Sequence, residues 1–224
     1  MDMFDIIGPI MIGPSSSHTA GAARIGKIAR QLLGGEPVQA KIGLWGSFQK
    51  TYIGHGTDRA LIGGLLGMEV DDARLRDSLR FAEQAGLQAT FYSAKLKAAH
   101  PNTVVLEVSN RQGRSIRLQA ASVGGGEIVV QSVDGLETAI TGHANTLVLT
   151  YRDTPGMIAM ISGVVAAGQL NIATMRVSRS AVGGEAMVTL ELDGNADAEL
   201  VKRLDALTDV YHVAYLAARG EAAL

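Results

Sequence analysis

The segment GPSSSHT, Gly13 to Thr19, sets three adjacent hydroxyls, a histidine and a threonine directly before an amphipathic stretch. A helix start attracts anions, because its first turn leaves backbone donors unpaired and the helix dipole is positive there. A substrate carboxylate suits such a place. Serine and threonine are also the ordinary caps of helices, so the loop alone reads equally well as a capped turn. His18 moves the reading toward chemistry, since an imidazole beside an anion pocket can bind or move a proton near neutral pH. A second signal, GHGTD at Gly54 to Asp58, places His55 between glycines that offer it no packing, at an expected loop-to-helix junction. Its plain alternative is a flexible turn with Thr57 as cap. The loops His100-Pro101-Asn102-Thr103 and Gly124-Gly125-Gly126 flank expected strands, and each alone is ordinary turn chemistry. His143, in a linker, and His212, near an expected helix end, read as solvated side chains.

Other chemistries are set aside by what the chain lacks. It has no Walker A loop, no G-x-G-x-x-G after a strand, no H-E-x-x-H and no G-x-S-x-G, and no lysine in a setting that suggests a pyridoxal Schiff base. With no cysteine it has no disulfide, no thiol nucleophile and no thiolates of its own for an iron-sulfur cluster. Twenty basic and 22 acidic residues are well mixed, so no polycation exists to neutralise phosphates, and nucleic acid is not an expected partner. Apolar runs such as Met157 to Ala167 fall short of the roughly 20 residues that span a bilayer, and Asp2 and Asp5 stand where a signal peptide carries basic residues. A soluble, cytoplasmic protein with no membrane segment is expected.

The elements that must position these loops follow from periodicity. Ile25, Ile28, Ala29 and Leu32 share one face of a helix starting near Ala20 and ending at Gly34-Gly35. Alternation from Val38 to Leu44 predicts a strand, Thr57 should cap a helix containing Ala60, Leu61 and Leu65, and Asp72 to Ala85 a weaker helix. Ala89 to Gly142 reads as successive strands separated by glycine turns. After the polar stretch at Gly142 to Thr146 the grammar changes to strand, helix, strand, strand, helix, strand. Thr154 and Pro155 are expected to start its first helix, and Gly168 to end it. The fold class is therefore α+β, with domains at 1–143 and 147–224, the second a ferredoxin-like βαββαβ unit.

Taken together, GPSSSHT, GHGTD, HPNT, SVGGGEI at Ser122 to Ile128 and the ACT-like tail resemble the β subunit of two-subunit, iron-sulfur-dependent bacterial L-serine dehydratases, over nearly the whole chain. The first domain is also similar to the allosteric-substrate-binding domain of some phosphoglycerate dehydrogenases. The resemblance implies an L-serine ammonia-lyase that forms pyruvate and ammonia without pyridoxal phosphate. It implies a [4Fe-4S] cluster held by a cysteine-containing α subunit, with no metal ligand on this chain, which alone would be inactive. It assigns His18 and His55 to catalysis, without saying which is the base. Ser15, Ser16, Ser17 and Thr19 would orient L-serine, with Asn102 and Gly124, Gly125 and Gly126 completing the pocket. In the ACT-like domain it points to self-association and to an amino-acid effector near Asp153, Gly156 and Asn171. A non-catalytic, serine-sensing regulatory module is the competing expectation, and a ligand-free assembly scaffold a third.

Overall fold

The computed structural model describes residues 11–218; Asp2 and Asp5 lie outside them. A π-helical turn, Ser16–Gly21, runs directly into α1 (Ala22–Leu33), followed by β1 (Pro37–Leu44), α2 (Ser47–His55) and α3 (Thr57–Leu65). A 3-10 turn, Ala73–Asp77, then leads to α4 (Ser78–Ala85) and to β2 (Gln88–Ser93), β3 (Thr103–Asn110), β4 (Ser115–Gly124), β5 (Glu127–Val133) and β6 (Leu136–Ile140). The remainder forms β7 (Asn145–Arg152), α5 (Met157–Ala167), β8 (Ile172–Arg179), β9 (Glu185–Leu192), α6 (Ala198–Asp205) and β10 (Val210–Leu216). The chain divides into two compact units, Met1–Asp134 and Gly135–Leu224. Among the described residues no helix is long and apolar enough to cross a membrane.

One sheet has the strand order β2-β1-β3-β4-β5-β6. β1 runs parallel to β2 and antiparallel to β3, and β3, β4 and β5 continue antiparallel. The expected face of α1 is buried: Ile25, Ile28, Ala29 and Leu32 are at most 6% exposed. Burying such a side chain contributes roughly 1.5–3 kcal/mol, so this stripe secures the helix that follows the serine loop. Its neighbour is α3, and the two backbones approach closely. A Cβ on Gly64 would sit 2.0 Å from the Ala23 carbonyl oxygen, and one on Gly26 2.3 Å from that of Leu61. Only glycine permits that approach.

The second unit follows the βαββαβ plan, with an antiparallel sheet of order β10-β7-β9-β8. Leu147, Leu149, Tyr151, Ile161, Val165 and Leu204 form its core. Asp197 caps α6 by accepting from the Leu200 N–H at 2.7 Å.

Several local expectations are corrected. Gly56, not Thr57, is the N-cap residue of α3, because a left-handed residue (φ 71°) breaks one helix and starts the next; Thr57 is fully buried in the first turn. Gly156 (φ 92°), not Thr154, precedes the first residue of α5, and the left-handed residue past its end is Gln169 (φ 57°), since Gly168 stays at φ −79°. The stretch from Asp72 splits into the 3-10 turn and α4, with the Asp72 side chain capping the turn through the Arg74 N–H. His212 lies within β10 opposite Thr150, not at a helix end.

Candidate active site

The candidate residues of the first unit are gathered by the sheet. β1 and β4 end where β3 and β5 begin, so the Gly46-Ser47 corner, the His100 to Asn102 loop and the Gly124 to Gly126 turn share one end of it. Backbone bonds knit that end together. Trp45 N–H donates to Thr103 O at 3.0 Å, and Ser122 N–H donates to Asn102 O at 3.0 Å. The Pro101 carbonyl accepts from Ser47 N–H (2.7 Å) and Phe48 N–H (3.4 Å), satisfying two donors at the start of α2. Gly46 makes this fit possible, with φ 63° and Pro101 O only 2.5 Å from where a Cβ would stand.

His18 occupies the centre. It is 8% exposed and sits in the π-helical turn, an irregularity that often marks functional positions. Its Nδ1 lies 3.3 Å from Ser15 Oγ and its Nε2 3.1 Å from Ser47 Oγ. Ser15 Oγ also accepts from the His18 N–H at 3.3 Å, capping the turn. The His18 ring meets Phe48 edge-on with centroids 5.2 Å apart and His55 edge-on at 4.8 Å. Burial first, and then repulsion from His55, hold its pKa below the usual imidazole value. Both effects favour the neutral imidazole.

His55 closes α2, which is anchored by the buried Phe48 and by Tyr52 stacked on Phe91 at 5.8 Å. Its Nδ1 is buried without a hydrogen-bond partner, as are Thr19 Oγ1, Thr57 Oγ1 and Asp58 Oδ1. Buried polar atoms without a protein partner are uncommon in native proteins, and these are available to a ligand. Burial also pushes the Asp58 carboxyl above its ordinary value, with the Arg59 N–H working against it. His55 and Thr19 line a cavity of about 160 Å3 together with Gly13, Gly54, Arg59 and Arg76.

The other predicted residues fall around this pair. Ser16 and Ser17 are half-buried in the first turn beside Ser15. Asn102 donates from Nδ2 to Ser122 O at 3.4 Å, while its Oδ1 and the fully buried Ser122 Oγ lack partners. Gly124, Gly125 and Gly126 all have positive φ, and Arg24 from α1 holds their turn by donating to Gly126 O. Sequence reasoning passed over Ser47, Ser122, Arg59 and Arg76. The Gly-Ser step after a strand was a helix-start signal for Ser47; Arg59 and Arg76 carry none in the sequence.

In the second unit, Asp153 and Gly156 line a cavity of about 400 Å3 with Tyr151, Met157, Val177 and Arg179. Asp153 Oδ2 accepts from Gly183 N–H at 3.1 Å and from Arg179 Nη1 at 3.0 Å, and these two contacts, in that order, depress its pKa. Asn171 is not in this wall; its Nδ2 donates to Asp193 Oδ2 at 2.6 Å at the far end of α5.

Fold and geometry define a class: an α+β protein of two units, the first with a histidine pair among hydroxyls, one member buried and the other half-buried, the second ferredoxin-like. The family model described as serine dehydratase beta chain matches residues 1–86. The chain is 40% identical over 215 residues to the probable L-serine dehydratase beta chain of Bacillus subtilis strain 168, covering 96% of this chain and 97% of that one. It is 37% identical over 191 residues to the L-serine dehydratase beta chain of Peptoniphilus asaccharolyticus, covering 85% and 86%. A solved ACT domain from the GTP pyrophosphokinase of Chlorobium tepidum matches 32% of this chain and 95% of its own length at 21% identity, with a TM-score of 0.28. The chain belongs to the serine dehydratase beta chain family.

Proposed function

We propose that this chain supplies half of an active site that dehydrates L-serine in the cytoplasm, the other half coming from a cysteine-bearing α subunit. The observation that carries the reading is the histidine pair: His18 has both ring nitrogens engaged by serine hydroxyls, while His55, 4.8 Å away, has a buried Nδ1 with no partner. In the reaction the Cα–H and Cβ–O bonds of serine break, a carbon-carbon double bond forms, and water leaves. The aminoacrylate then tautomerises and hydrolyses to pyruvate and ammonia. His55 takes the α-proton, since its ring nitrogen is uncommitted; His18, neutral and clamped, sets the orientation of His55 through the edge-on contact. The hydroxyls of Ser15, Ser16, Ser17 and Thr19, with Asn102 and the Gly124 to Gly126 turn, bind and orient the substrate and help to exclude water.

Among the described residues no three His, Asp or Glu side chains converge as a metal site, and the chain has no cysteine. The donor set does not fit an iron-sulfur cluster, so the ligands of a [4Fe-4S] cluster would lie on the α subunit. There the cluster would act as the Lewis acid on the serine hydroxyl. In the second unit, Asp153 and Gly156 would receive the ammonium of an amino-acid effector in exchange for Arg179, and the exposed edge strand β8, bearing Met175 and Val177, would serve self-association.

The test is anaerobic serine-to-pyruvate turnover by this chain alone and mixed with its α partner. Activity is expected only in the mixture and should fall about 100-fold or more in His55→Ala and His18→Ala, the usual worth of a positioned acid or base. Full turnover in both variants would sink the catalytic reading and leave a serine-sensing module.

A further inference from the structure

The cavity beside His55 carries a charge pattern that the serine loop does not explain. Arg59 and Arg76 both line it, and among the described residues no acidic side chain does. Neither guanidinium has a carboxylate within ion-pair distance among the described residues. Asp58, the acid next to Arg59 in sequence, is buried in the first turn of α3 and is not part of the wall. Arg76 is steadied by its Nε, which donates to Ala73 O at 3.2 Å. That leaves the two terminal nitrogens of its planar fork, the part suited to a carboxylate. The left-handed Gly56 lines it too, where the nine-residue α3 begins with its dipole positive end. Thr19, only 4% exposed and without a partner for Oγ1, stands in the same wall. Ser15, Ser16 and Ser17 do not.

A wall with two cations, a helix start and an unpartnered hydroxyl, and with no anion among its described residues, concentrates small anions. Size narrows the choice: the volume is about 160 Å3, and a cavity of about 150 Å3 takes a molecule the size of benzene. A three-carbon carboxylate matches that within an atom or so; a nucleotide does not fit. We propose that this cavity is a subsite for a three-carbon monocarboxylate, distinct from the Ser15 to Ser17 hydroxyls, in which Arg59 and Arg76 hold the carboxylate next to His55. The proposal rests on the dehydratase reading only for the identity of the carboxylate, substrate or product. The binding itself needs no turnover.

The test is isothermal titration of the full chain, without partner, using pyruvate, L-serine and pyruvamide as probes. One of the two carboxylates should bind, with pyruvamide at least about tenfold weaker; Arg59→Gln and Arg76→Gln should each weaken binding about tenfold, a charge-assisted hydrogen bond being worth that much, and Lys50→Gln, which removes an exposed cation of α2 outside the cavity wall, should not. Tighter pyruvate binding makes the subsite a product station, and tighter serine binding a substrate one; both uphold it. Both arginines are exposed, so unchanged circular dichroism and melting should accompany the loss. Three outcomes overturn the proposal: no carboxylate binding at millimolar concentration, equal binding of pyruvamide, or arginine variants that bind as wild type does. If turnover of the mixed subunits proves independent of His55 while arginine-dependent binding persists, the dehydratase reading fails and the subsite stands.

Discussion

His18 is depressed below its ordinary value of 6.5 by burial and, after that, by its neighbour His55. An unfolded chain takes up a proton at this position as pH falls through about 6.5, whereas the folded chain resists until lower pH. The unfolded state then binds more protons, so the stability contributed above that value is lost as pH falls toward the folded pKa. Thermal melts of the full chain between about pH 7.5 and 5 should show a falling midpoint on acidification, and His18→Gln should flatten the slope. A variant slope as steep as the wild type would remove His18 as its source. At this scale the sequence was legible where side-chain type announces chemistry: both histidines stood out in it, and the structure sets their rings 4.8 Å apart. Ser47 and the two cavity arginines were not found, because their part depends on which distant loop they meet. The hydroxyl against His18 Nε2 is 29 residues away in sequence.

Periodicity carries information about faces more securely than about ends. The buried stripe of α1 was readable residue by residue, and so was the hairpin closing near Gly183-Gly184. Missed was α2: its nine residues contain one fully buried side chain, Phe48, so no apolar stripe marks it, and it is defined by the Gly46 and Gly56 breaks and by the Pro101 carbonyl. The placement of Thr57 and Thr154 as caps failed for a related reason, since a glycine with positive φ stood nearby and took the cap position. The contact of α1 with α3 yields a sharp contrast. Gly64→Ala forces a Cβ to 2.0 Å from a backbone oxygen and should cost about 3 kcal/mol. Gly163→Ala, in the exposed part of α5 with nothing within 4 Å, should gain about 0.5–1 kcal/mol. Urea titrations of the two variants read both signs, and equal effects would refute the packing account.

Each of the two units has its own buried core, and damage to one should be legible there. Ile161 is fully buried in the second, so Ile161→Ala should cost about 2–5 kcal/mol. Hydrogen exchange followed by mass spectrometry should show faster exchange in β7 to β10, with β1 to β5 unchanged; equal loss of protection in both units would show them to be one cooperative block. The βαββαβ pattern that begins at β7 was readable as a change of grammar after Gly142, because each element pattern needs only local residues; the compact units themselves divide earlier, between Asp134 and Gly135. The convergence of four segments at one end of the first sheet was not, since strand order is decided by long-range pairing. That convergence has a temporal side. The bond from Arg24 to the Gly126 carbonyl closes a span of 102 residues, and non-local closures of this kind form late in folding. A chain still emerging from the ribosome has helix α1 and its serine loop long before it has the β4–β5 turn. Until that turn arrives the growing polypeptide carries the serine loop and both histidines before the sheet end that gathers them exists.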